Sequence, residues 1–138
     1  MSAETPGERP TLLRVGIALL VVSSIGLLAA PITIVRAMPG LDTRTGRHTL
    51  VGSLGLAAVA IFECILALVP IRRGEAWAVA AAALPFAVVG IPIFIVDATY
   101  VAPQRLWNTL APQAAGLVMG MTAVLLCALG VRRTRESR

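Results

Sequence analysis

The chain has 138 residues, a length that fits a single domain. Hydrophobic residues make up 57% of it and its mean hydropathy is +0.85, which excludes an ordinary soluble domain and indicates an integral membrane protein. The net charge of +5 comes from 12 arginines against seven acids. Because no basic helix or aromatic stacking motif stands apart from the apolar segments, we expect no nucleic-acid partner.

Charged residues divide the chain into four long apolar segments. About 20 apolar residues cross the roughly 30 Å of hydrocarbon in a bilayer, and every segment has at least 21 residues. Within them, Glu63 is the one charged residue. The sequence therefore predicts an all-α fold, in which residues 11–131 form an up-down bundle of four transmembrane helices. The approximate limits of the spans are 15–35, 49–71, 76–96 and 106–131.

The two tails and the arginine distribution predict the orientation. Residues 1–10 are polar and rich in proline and glycine, and we expect them to be disordered; residues 132–138 form a short basic tail. The tails and the loop between spans two and three hold eight arginines, whereas the opposite side holds four. The positive-inside rule then places both termini in the cytoplasm, and we expect a multi-pass protein of the plasma membrane.

An internal similarity suggests that the bundle arose by duplication. The stretch PITIVRA (31–37) recurs as PIFIVDA (92–98), an offset of 61 residues. The same offset pairs Gly55 with Gly116 and Glu75 with Glu136. Both copies begin on the same side of the membrane, so the sequence predicts a parallel repeat of one helix hairpin.

Small residues form a helical stripe on span two and another on span four. In span four, the stripe includes Gly116 and Gly120, a GxxxG pair. Two interpretations are open: packing within the bundle, or a face for a homodimer or another membrane-protein partner. Cys64 and Cys127 belong to these stripes as packing residues, and a disulfide is not expected on the reducing side. One histidine and two separated cysteines cannot form a structural zinc site, and we predict no metal or cofactor.

Glu63 is the residue that most needs explaining. At 1.5 Å per residue it lies about 4.5 Å to the cytoplasmic side of the span midpoint, where a charge costs about 2.5 to 3.5 kcal/mol. We therefore expect its side chain to face protein. The same depth count places Ser23, Ser24 and Thr122 in one layer with it, and Pro85 frees a backbone carbonyl nearby. The sequence predicts a buried polar cluster that either stabilises helix packing or binds a ligand or a proton.

Polar residues at the outer ends of the spans form a second group, the outer rim. Arg36 and Asp97 occupy equivalent positions in the repeat, and we expect them to pair. Interfacial anchoring and a surface ion pair of at most about 1 kcal/mol explain the group; the alternative is an outward pocket for a polar head group or small ligand. The candidates are Arg36, Asp97, His48, Tyr100 and Gln113.

The short inner turn RRGEAWA (72–78) joins spans two and three, with Gly74 permitting a tight turn. Four short spans with few loops and this turn resemble the DoxX-like four-helix membrane proteins of bacteria. That resemblance implies a four-helix bundle and, because the group is functionally diverse, no particular activity. Small multidrug transporters also have four spans and a membrane glutamate, but theirs lies in the first span rather than the second.

Three functions are open at this point. The first is a non-enzymatic accessory or ligand-binding membrane subunit, which the sequence favours. The second is a small proton-coupled transporter that uses Glu63. The third, a membrane enzyme acting on a lipid, has the least support because the spans contain no acid-base pair.

Overall fold

The computed structural model describes the backbone of residues 9–37, 40, 42–100 and 106–136, with side chains described throughout except at 9, 10, 30, 31, 33–35, 37, 100 and 106–109. Within these ranges the regular structure is helical, with no strand. The helices are α1 (Arg9–Ala37), α2 (Arg44–Leu66), α3 (Ala76–Pro85), α4 (Ile91–Tyr100) and α5 (Leu106–Glu136). Two five-residue π-helical segments extend α2 and join α3 to α4, namely Ala67–Ile71 and Phe86–Gly90.

Four helical segments are long and apolar enough to cross a membrane, which confirms the predicted all-α architecture with four spans. The third span combines α3, the second π-helical segment and most of α4. The spans cover Thr11–Ala29, Arg44–Ile71, Ala76–Thr99 and Leu110–Glu136.

Three helix boundaries differ from the prediction. Helix α1 begins at Arg9, so the expected disordered tail is two residues too long; residues 1–8 lie outside the described residues. Helix α2 begins five residues early, because the Thr43 side chain caps it by accepting a hydrogen bond from the backbone N–H of Gly46 at 2.9 Å. Helix α5 continues into the basic tail as far as Glu136, where Arg132 and Glu136 form an exposed ion pair at 2.9 Å.

The helices follow one another around the bundle in chain order. Helix α1 packs against α2 on one side and against α5 on the other, and α3 packs against both α2 and α5. The most extensive of these contacts joins α1 to α5, the first and last spans. Spans one and three therefore lie at opposite corners of the bundle.

Glycines allow α1 and α5 to approach closely. A Cβ atom at Gly16 would lie 2.8 Å from the backbone nitrogen of Cys127, and one at Gly130 would lie 2.9 Å from the backbone nitrogen of Leu13. A Cβ at Gly120 would overlap the ring of Phe86 in the third span. The stripe of small residues on α5 is thus used for packing within the chain, and self-association through Gly116 and Gly120 stays a prediction.

The bundle is packed unevenly along its length. We call the end that carries Arg14, the 72–75 turn and Glu136 the terminal end, and the other the loop end. The hydrophobic core runs from the terminal end to the middle, where Leu20, Ala82 and Ala123 are fully buried. Toward the loop end, no described side chain of α4 is buried, and neither is any from Leu110 to Met119 on α5.

The turn between spans two and three has the predicted glycine conformation. Gly74 has a φ of 81°, in the left-handed region that residues with a Cβ rarely adopt. The backbone N–H of Glu75 closes the turn by donating to the carbonyl of Pro70 at 3.0 Å. Trp77 is exposed beside it, and its indole N–H donates to Glu75 Oε2 at 2.6 Å.

Candidate functional site

Glu63 lies inside the bundle, as its depth in the membrane predicts. It belongs to the inward stripe of α2, with Ala60 one turn before it and Ala67 one turn after it, and both alanines are fully buried. Its own side chain is 1% exposed. The helical period of the small residues on α2 therefore turns this acid toward protein rather than lipid.

Ser24 of α1 is the described hydrogen-bond partner of Glu63. Its hydroxyl oxygen lies 3.1 Å from Glu63 Oε2 and 2.8 Å from the carbonyl oxygen of Leu20. Ser24 is fully buried, and Ser23 beside it is 8% exposed. The predicted contact between the serines of span one and Glu63 is confirmed for Ser24.

The hydrogen-bond arrangement around Ser24 has a chemical consequence. A serine hydroxyl has one hydrogen to donate and two lone pairs to accept with. If Glu63 is ionised, its carboxylate and the Leu20 carbonyl compete for that single hydrogen. If Glu63 carries a proton on Oε2, it donates to Ser24 and Ser24 donates to Leu20, so both contacts are satisfied at once. The geometry around Oε2 thus suits a carboxyl group that holds a proton.

The second oxygen of Glu63 has no such partner. Glu63 Oε1 is shielded from solvent and accepts no hydrogen bond from any described residue. A buried polar atom left unsatisfied costs about 1 to 3 kcal/mol. Such an atom in a folded protein calls for an explanation, and a ligand, an ion or an ordered water each supplies one.

The prediction that Thr122 joins this layer is wrong. Its side chain is exposed on the outside of the bundle, whereas Ala123 next to it is fully buried. The register of α1 and α5, set by Gly16 beside Cys127 and Leu13 beside Gly130, places Gly120 level with the serines. The depth count identified the correct level on α5 but not the face that points inward.

Phe86 of the third span packs against α5 at the level where we expected Thr122. Its ring is 9% exposed and lies against Gly120. It begins the π-helical segment that follows Pro85, in which the backbone N–H of Ile91 donates to the carbonyl of Phe86. Pro85 lacks a backbone N–H, and the predicted local disruption of the helix at this residue is confirmed. The sequence indicated the disruption but not that an aromatic ring would pack against Gly120.

In the outer rim, the expected pair of Arg36 and Asp97 is not formed. Arg36 is exposed, and it forms no ion pair with Asp97. Asp97 instead accepts a hydrogen bond from the amide Nε2 of Gln113 at 2.5 Å. The reason is the order of the spans: the first and third lie at opposite corners, whereas the third and fourth are neighbours.

The other candidates of the outer rim do not converge on that pair. His48 is exposed on the first turns of α2, where its Nε2 accepts a hydrogen bond from Arg44 at 3.3 Å. The side chain of Tyr100 lies outside the described residues. Asp97 and Gln113 are both half-buried, and Gln113 Oε1, like Glu63 Oε1, is shielded and has no described partner.

Comparison with known proteins gives no family for this chain: no family model, curated protein or solved structure matches it. The resemblance to DoxX-like membrane proteins therefore stays a prediction.

Proposed function

We propose that this protein is a non-enzymatic, multi-pass membrane protein that binds a ligand through a carboxyl group inside its four-helix bundle. The observation that carries the proposal is Glu63 Oε1, a buried acceptor in the middle of a span with no described partner. Ionisable residues at this depth are costly and generally mark a site of function. A ligand with an N–H or O–H group, or a cation, would satisfy this oxygen.

A catalytic function has less support than ligand binding. General acid-base catalysis requires a second positioned group that gives or takes a proton. The four predicted spans contain no charged residue besides Glu63 and no histidine. Ser24, the described hydroxyl in contact with the acid, is occupied by its contacts with Leu20 and Glu63 and is not a free nucleophile.

Carbodiimide labelling tests whether Glu63 is a reactive, water-excluded acid. Dicyclohexylcarbodiimide enters lipid and adds to protonated carboxyl groups without releasing any part of itself. In lipid nanodiscs, we expect one adduct at Glu63 by mass spectrometry, lost in Glu63→Gln and kept in Glu136→Gln, which removes an equal but exposed acid. Small cations such as sodium or methylammonium should slow the labelling. Equal labelling of Glu63 and Glu136, or a rate indifferent to every cation, would contradict the proposal.

A second candidate function is proton-coupled transport, and the contacts of Ser24 favour it. They are satisfied together only when Glu63 carries a proton, so loss of that proton would rearrange the link between α1 and α2. Proteoliposomes with an internal pH dye measure this function directly. A proton flux that requires Glu63 and is unchanged in Glu136→Gln would favour transport over simple binding.

We also propose that both termini face the cytoplasm of a bacterial cell. The arginines support this orientation, because those at the described terminal end outnumber those at the loop end. A membrane-impermeant maleimide tests it in intact cells of a variant that lacks both native cysteines. Gly40→Cys, at the loop end, should then be labelled without cell lysis. Labelling of Gly40→Cys only after lysis would reverse the orientation.

A further inference from the structure

We propose that Asp97 and Gln113 form a binding site for a monovalent cation, either a metal ion or an ammonium group, at the loop end of the bundle. The site lies on the loop-end side of Glu63. This inference rests on the proposed function and names the chemical class of the ligand as cationic.

The chemistry of the pair fixes the orientation of the Gln113 amide. A carboxylate oxygen only accepts hydrogen bonds, so the amide must turn its NH₂ group toward Asp97 Oδ2, where the distance is 2.5 Å. Gln113 Oε1 is thereby turned the other way. It is shielded from solvent and accepts no hydrogen bond from any described residue. The pair thus holds an amide oxygen in a buried position that lacks a donor.

The charge of the pair selects the ligand. Asp97 contributes a carboxylate that is paired with no basic side chain in the described part of the chain. Carboxylate and amide oxygens are ligands for hard cations and acceptors for ammonium N–H groups. An anion at Gln113 Oε1 would meet an acceptor with the negative charge of Asp97 behind it, so the site favours a cation.

Helix α5 carries small residues between this pair and the level of Glu63. Gln113, Gly116 and Gly120 lie on one face of α5, and the rise from Gln113 to Gly120 is about 10 Å. A Cβ atom at Gly116 would meet no described atom within 4 Å, and no side chain from Leu110 to Met119 is buried. On α5, the stretch from Gln113 to the Glu63 layer therefore presents glycines on this face rather than bulky side chains. Gln113 Oε1 and Glu63 Oε1 are the two unsatisfied oxygens of this kind in the described residues.

Cation-dependent thermal stability tests the site. The protein is unfolded by heat in lipid nanodiscs while sodium, potassium or methylammonium replaces N-methylglucamine at constant ionic strength. For the wild type we expect a saturable rise in melting temperature, and the effective cation tells a metal ion from an ammonium group. Asp97→Asn and Gln113→Leu should each weaken the apparent affinity about tenfold or more, whereas Glu136→Gln should not change it.

A variant that should respond more strongly to cations controls for misfolding. Gln113→Glu places a second carboxylate beside Asp97, so at alkaline pH its melting temperature should fall without a cation and recover with one. A fall that no cation reverses, or an affinity unchanged in both Asp97→Asn and Gln113→Leu, overturns the site.

Glu63→Gln separates this inference from the proposed function. Loss of the cation effect in Glu63→Gln but not in Asp97→Asn would remove the loop-end site and leave the role of Glu63 intact. Loss of the cation effect in Asp97→Asn but not in Glu63→Gln would keep the loop-end site and refute Glu63 as the binding group. A melting temperature indifferent to all three cations in the wild type would refute both.

Discussion

The contact between α1 and α5 can be tested by two glycine substitutions in the same helix. Gly16 and Gly26 both lie within the first span, ten residues apart. A Cβ atom at Gly16 would lie 2.8 Å from both the backbone nitrogen and the Sγ of Cys127, and 3.1 Å from the carbonyl oxygen of Ala123. A Cβ at Gly26 would meet no described atom within 4 Å. Alanine at these positions therefore makes the same chemical change against two different surroundings.

The difference in stability between the two variants isolates the clash. Both replace glycine by alanine and gain about 0.8 to 1.0 kcal/mol of helix propensity, which cancels in the comparison. Two of the three atoms near Gly16 are backbone atoms, so the helices must separate rather than a side chain rotate. Overpacking of this kind typically costs about 1 to 3 kcal/mol. We expect Gly26→Ala to be neutral or slightly stabilising. Gly16→Ala should be less stable than Gly26→Ala by about 1 to 3 kcal/mol.

Unfolding in mixed micelles of dodecylmaltoside and sodium dodecyl sulfate, followed by circular dichroism, measures this difference. The midpoint for Gly16→Ala should fall below that of the wild type, and the midpoint for Gly26→Ala should not. Equal midpoints for the two variants would refute the close approach of α1 to α5 and, with it, the register that places Gly120 level with the serines.

Three other predictions follow from the described contacts. Ser24→Ala should cost about 1 to 2 kcal/mol by removing the hydroxyl that contacts both Glu63 and Leu20, whereas Thr122→Val, on the exposed face, should stay within about 0.5 kcal/mol of the wild type in the same micelle assay. Gly74→Ala should lose about 1 to 2 kcal/mol because alanine is strained at a φ of 81°, and a variant as stable as the wild type would contradict that conformation. N-Ethylmaleimide should modify the half-buried Cys64 faster than the fully buried thiol of Cys127, as mass spectrometry of timed samples would show; equal rates would refute the packing of α5.

The number and approximate limits of the spans could be predicted because they depend on local composition alone. The burial of Glu63 and its meeting with Ser24 could be predicted too, since a charge is costly in lipid and depth can be counted along a helix. The side of the helix on which a residue lies does not follow from its depth in the membrane. At about 100° per residue, Thr122 is turned about 200° away from Gly120, so the stripe of small residues already pointed it outward.

The predicted pair in the outer rim was wrong for a different reason. Matching positions in two repeats share a depth, but they are not thereby neighbours, because neighbours depend on the order of the helices around the bundle. Arg36 and Asp97 were paired by depth, and the bundle keeps them at opposite corners. Asp97 meets Gln113 because α4 and α5 are adjacent, a fact that no local pattern in the sequence contains.

The extensive contact between the first and last spans affects how the protein is made. Ribosomes synthesise chains from the N-terminus, so α1 enters the membrane long before α5 exists. Until then, the groove around Gly16 faces lipid or the insertion machinery, and the α1–α5 contact cannot form. Final assembly of the bundle therefore has to wait for the last span, and a chain interrupted before α5 would expose the surface that Cys127 and Gly130 normally cover.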